Sequence, residues 1–84
     1  MSDLQRHSNI GAKIAEQLMA VDINSFEQLA QTGSRAAWLR IKAIDPSACL
    51  NRLMSLEGAI QNVRWHHLSN ADKAALRAFY HDVK

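Results

Sequence analysis

The sequence predicts an all-α fold, a compact bundle of about five short helices. Three observations carry that prediction. The 84 residues include only three glycines and one proline, too few turn formers for a β-sandwich or barrel. Ala, Leu, Gln and Arg are plentiful and β-branched residues are few, a composition that favours helix. Apolar residues recur at helical spacing between recognisable start and stop signals. With 48% apolar and 21% charged residues, the chain has a globular composition rather than a disordered one. Its length suits one domain, residues 1–84, with 1–7 as a flexible lead-in. Such a domain buries about 60–65% of its unfolded surface, and its total stability is roughly 4–13 kcal/mol.

The first helix is expected to open at Ser8-Asn9, with Ile10, Ile14, Leu18 and Val21 along one stripe. A short second helix follows Asn24, where Glu27 three residues on completes a capping-box pattern. Phe26, Leu29 and Ala30 form its apolar face, and Thr32-Gly33 reads as its stop. Ser34 then caps a third helix carrying Ala37, Trp38, Ile41 and Ile44. Asp45-Pro46 reads as the start of a fourth, because Asp accepts orphan N–H groups and Pro at the first position loses no bond. That helix runs to about Asn62 with Cys49, Leu50, Leu53, Met54, Leu56, Ile60 and Val63, a stripe wide enough for the central helix of the bundle. After a joint at Arg64-Trp65-His66-His67, Ser69-Asn70-Ala71-Asp72 is again a capping-box pattern. The last helix presents Leu76, Phe79, Tyr80 and Val83. Gly58, inside an apolar helical pattern, points to a close approach by another helix or by Trp65, which is expected to be mostly buried.

Charge and cysteine content limit the function classes. Ten Lys and Arg against eight Asp and Glu leave +2, which permits nucleic-acid binding without demanding it. Arg35, Arg40 and Lys42 are the densest basic group, with Asp45 close behind. No run of 18 apolar residues exists, so no membrane span is expected. Met1 to Arg6 lack an apolar core, so no secretory signal is expected. The single cysteine, Cys49, excludes an intramolecular disulfide and fits a reducing cytoplasm. His66, His67 and His81 lack metal-ligand spacing, and neither a metal nor another cofactor is expected. No nucleophile elbow or Cys/His constellation appears, so the catalytic set is read as empty.

Ser8-Asn9-Ile10-Gly11-Ala12-Lys13-Ile14-Ala15 is the most suggestive local stretch. It resembles half of a helix-hairpin-helix element. Glycine lets backbone approach a phosphate, and the N–H groups at a helix start point toward an anion. Lys13 adds a charge-assisted contact, so Asn9, Gly11, Ala12 and Lys13 form the candidate DNA-binding set. The alternative is a plain helix start in which Gly11 allows tight packing. Glu57 is either a surface charge or a partner for an arginine across the bundle.

A longer resemblance rests on Leu50-Asn51-Arg52-Leu53-Met54-Ser55-Leu56-Glu57-Gly58-Ala59-Ile60, followed by Arg64-Trp65 and Leu68. Leu50, Asn51, Leu53, Leu56, Glu57, Gly58, Ala59 and Trp65 carry it. The run is similar to the C-terminal domain of TfoX/Sxy proteins, bacterial regulators of competence for DNA transformation. Asn9-Ile10-Gly11 and Leu39-Arg40-Ile41-Lys42-Ala43 also fit that family's pattern, and the likeness spans about residues 8 to 80. The family's usual proline after the hairpin glycine is replaced by Ala12. The resemblance implies a helix-hairpin-helix or SAM-domain-like fold, no enzymatic activity, and a regulatory role. In some bacteria that role is shared with the cyclic-AMP receptor protein. Many members also carry an N-terminal α/β domain, so this chain is read as a stand-alone version. Two function classes stand at this point. One is a module that contacts DNA backbone weakly and without sequence preference. The other is a protein-interaction domain that binds a transcription factor or forms a homodimer.

Overall fold

Helix α1 runs from Ala12 to Ala20 in the computed structural model, which describes residues 10–83. Its stripe buries Ala15 and Leu18, and Gly11 takes the N-cap position in extended backbone. The expected opening at Ser8-Asn9 lies outside the described residues. The helix closes as the Ile23 N–H reaches back to the Leu18 carbonyl at 2.8 Å and the Asp22 N–H to that of Met19 at 3.1 Å. Asp22 sits in the left-handed region at φ +67°, and Ile23 is buried behind it. This is the Schellman closure, in which an apolar residue after the left-handed position packs back on the helix.

Helix α2, Phe26–Thr32, is capped one residue later than Asn24-Glu27 implied. Ser25 Oγ accepts from the Gln28 N–H at 3.1 Å, and Gln28 Oε1 accepts from the Asn24 N–H at 2.6 Å. The box is built on glutamine rather than on Glu27, and Ala30 faces solvent rather than the core. Gly33 alone separates α2 from α3, Ser34–Ile44. Its φ of +86° and ψ of 152° lie in a region that essentially only glycine occupies. One residue therefore ends α2 and caps α3, and Ser34 becomes the first helical residue instead of the cap. The core-facing positions of α3 are Ala37, Trp38 and Ile41, while Ile44 is 54% exposed.

The fourth helix differs most from expectation. Asp45-Pro46 starts no helix: the Ser47 N–H and Oγ both donate to Asp45 Oδ1, and the Ala48 N–H donates to the Asp45 carbonyl. That Asx turn ends at Cys49, the exposed N-cap of α4, Leu50–Gln61. Ala48 therefore enters the core in place of Cys49. Asn62, left-handed at φ +59°, closes α4 with Val63 N–H on the Gly58 carbonyl at 2.9 Å. A 3-10 turn, Trp65–His67, leads to α5, Asn70–Val83. Ser69 Oγ accepts from the Asp72 N–H at 3.0 Å, as the capping pattern implied.

Helix α4 lies at the centre, packed against α2, α3, α5 and the 3-10 turn, while α1 packs on α3. The core is continuous through Leu18, Ile23, Leu29, Trp38, Ile41, Leu53, Met54, Leu56 and Leu76. No strand occurs among the described residues, and the all-α bundle of five short helices stands.

Candidate functional site

Of the four residues expected at a phosphate contact, three are described, and Asn9 lies outside the described residues. Gly11, Ala12 and Lys13 are all exposed at the start of α1. Gly11 is extended at φ −84°, ψ 179°, makes no side-chain cap, and is followed by no acidic residue in the first turn. A Cβ built on it meets nothing within 4 Å. The tight-packing explanation for this glycine therefore falls away. By helix geometry the first N–H groups have no intrahelical acceptor, and the positive end of the helix dipole lies there.

The run Leu50 to Ala59 occupies α4 almost from end to end. Leu53, Leu56, Gly58 and Ala59 are buried, Leu50 is half-buried, and Asn51 is exposed. Among the described residues Glu57 is neither a bare surface charge nor the partner of an arginine. It accepts a 2.6 Å bond from the buried Ser34 hydroxyl and another at 2.6 Å from Gln61 Nε2. Gln61 Nε2 also donates to Asp72 Oδ2 at 3.0 Å, so Glu57 ties the start of α3 to α4 and Gln61 ties α4 to the start of α5. Trp65 is half-buried in the 3-10 turn and stacks on His66 at 4.2 Å between centroids. It packs against the core, as expected of it. Trp38 is fully buried, and its Nε1–H donates to the Cys49 carbonyl at 3.1 Å.

A second polar cluster went unanticipated. Asp45 Oδ2 accepts from Gln17 Nε2 at 2.7 Å and from Arg52 at 3.0 Å, while Oδ1 serves Ser47. The cluster joins α1, the loop after α3, and α4. The Asp-x-Ser spacing at 45–47 carried a signal for the Asx turn, but nothing local pointed to Gln17 or Arg52. The Ser47 hydroxyl and N–H, then Gln17 and Arg52, hold the Asp45 carboxyl well below the usual carboxylate range. A lowered folded value contributes stability above the unfolded value of about 3.8 and loses it as pH falls below that value. Asp45→Asn is thus expected to be less stable than the parent at pH 7. The gap should narrow steadily as urea titrations move below pH 4. A gap that stays constant from pH 7 to pH 2.5 would remove the carboxylate from this role.

Among the described residues no group of three or more His, Cys, Asp or Glu side chains could hold a metal ion. No described helix is long and apolar enough to cross a membrane. Polar side chains at the core boundary join helices to one another, and the apolar core is continuous. The exposed features are a helix start and a basic helix, α3. Fold and surface together define a small all-α domain.

The chain belongs to the TfoX C-terminal domain family, whose sequence profile matches residues 1–80. Two solved structures from Listeria monocytogenes are similar to it. One, an uncharacterised protein in a triclinic crystal form, shares 38% identity with a TM-score of 0.94, covering 95% of this chain and 91% of that one. The other, a protein of unknown function in a tetragonal form, shares 36% identity with a TM-score of 0.95, covering 98% of this chain and 100% of that one. No curated protein matches the sequence.

Proposed function

We propose that this chain is a non-enzymatic, cytoplasmic regulatory domain serving competence for DNA transformation, and that it touches DNA backbone through the start of α1. The observation that carries the reading is the open end of that helix: an uncapped Gly11, no carboxylate in the first turn, and an exposed Lys13. An anion placed there gains the helix N–H groups and the lysine charge together. Backbone contact positions a protein without specifying a base sequence. Lys13→Glu is expected to weaken binding to every duplex alike and to flatten the log–log salt dependence by about one unit. Fluorescence anisotropy with a labelled duplex at two salt concentrations reads both. A variant that keeps the parent's affinity and slope would remove α1 from the contact.

A second reading is favoured by the exposed large apolar side chains Met19, Leu39, Ile44 and Val83. In this reading the domain binds a transcription factor, such as the cyclic-AMP receptor protein, or a second copy of itself. Sedimentation of the domain alone and with that factor distinguishes the two. A stable complex in the absence of DNA binding would favour the protein partner.

A further inference from the structure

The positive charge of this chain is concentrated on one helix. Helix α3 carries Arg35, Arg40 and Lys42 and no carboxylate. Between residues 12 and 32 the single cation, Lys13, is outnumbered by Glu16, Asp22 and Glu27. In α4 Arg52 is balanced by Glu57, and in α5 Lys73 and Arg77 are balanced by Asp72 and Asp82. The +2 total thus conceals a separation of sign, in which α3 is the only described helix with a positive balance.

The arrangement of α3 narrows the partner. Its core side is spent on Ser34, Ala37, Trp38 and Ile41. On the other side Arg35 and Arg40 lie about 140° apart around the axis and about 7.5 Å apart along it. Between them runs an exposed ridge of Ala36, Leu39 and Ala43, with Leu39 42% exposed. Arg35 lies over the Phe79 ring at 5.8 Å and Lys42 over Trp38 at 5.1 Å. Both rings belong to a packed aromatic group, since Trp38 meets Phe79 and Tyr80 edge-on. The cations of that flank are therefore held against rigid surfaces, which lowers the cost of ordering them on a ligand. Neither Arg35 nor Arg40 is in an ion pair among the described residues, where the pair formed is Arg52–Asp45. An apolar ridge with cations on both flanks suits a groove with two anionic walls, and the major groove of B-DNA admits one α-helix.

We infer that α3 is the element that seats this domain in the major groove of duplex DNA, with Arg35, Arg40 and Lys42 on the phosphates and Ala36, Leu39 and Ala43 toward the bases. This rests on the DNA-contact reading above, but not on the site at α1. The ridge offers no hydrogen-bonding side chain, so binding is indifferent to sequence. Contacts to three phosphates give a log–log salt slope of about −2.7, and non-specific affinity falls in the range of about 10⁻⁴–10⁻⁶ M at physiological salt.

The test is anisotropy of a labelled duplex between 50 and 200 mM salt, with the full chain and its Arg40→Ala, Arg35→Ala/Arg40→Ala and Lys13→Glu variants. Arg40→Ala touches no described contact, and circular dichroism is used to check that the double variant is folded. The expected result is a slope flattened by about one unit in the single variant and about two in the double variant. An unchanged slope in both, with binding lost only in Lys13→Glu, overturns the α3 assignment and leaves the contact at α1. No binding by the parent chain at 50 mM salt overturns both readings. Binding to an acidic polypeptide without binding to the duplex overturns groove seating in favour of a protein surface.

Discussion

Replacing Trp38 with alanine is expected to cost about 3–5 kcal/mol, set against a total stability of roughly 4–13 kcal/mol for a chain this long. The indole is fully buried and meets Phe79 and Tyr80 edge-on at centroid distances of 6.2 and 5.6 Å. Its truncation removes apolar contact between α3 and α5. It also strips the Cys49 carbonyl, at the N-cap of α4, of its 3.1 Å donor. Trp38→Phe separates the two effects, because the ring remains while the donor is lost; its cost should be about 1–3 kcal/mol. Urea titrations of both variants give the comparison. A midpoint unchanged in Trp38→Ala would mean that α3 and α5 hold together without this contact.

Gly58→Leu is the second large effect, expected at about 1–3 kcal/mol of destabilisation. Gly58 is buried in the last turns of α4, beside the fully buried Ala59. Its carbonyl also accepts the Val63 N–H that closes the helix. A glycine inside a helix costs about 1 kcal/mol relative to alanine, so a larger side chain gains propensity and loses packing. Leucine places four more heavy atoms at a buried position, and the overpacking is expected to outweigh the gain in propensity. A melting curve that Gly58→Leu leaves unmoved would show that α4 has room on that side.

The candidate site was legible only where it is local. Lys13 and Gly11 could be placed at a helix start from spacing alone, and the structure sets them there, exposed. Arg35, Arg40 and Lys42 were visible as the densest basic group, but not as a ridge with two flanks. The apolar stripe of Ala37, Trp38 and Ile41 already marked the core side of α3, but not what holds the cations of the opposite side. That comes from Phe79, some forty residues later in the chain, which packs on Trp38 and lies under Arg35.

The sequence by itself determined the helices, because each buries its own stripe of residues three or four apart and needs no distant partner to declare that period. It also determined the cap of α5, since Ser69 and Asp72 bond within one turn. Tertiary structure alone decided the start of α4, the cap of α3 and the role of Glu57. Asp45 has several acceptor sites, and donors from Gln17, 28 residues away, and from Arg52, seven residues away, compete for it. Together with Ser47 they hold it in a turn, so it does not cap a helix at Pro46. Ser34 is drawn to Glu57, 23 residues away, which leaves Gly33 to cap α3. Which tryptophan fills the centre was also decided there: Trp38 is fully buried, while Trp65 packs against the core from the 3-10 turn. Polar side chains reach their partners only after the helices have met, so local spacing shows that they can bond but not to what.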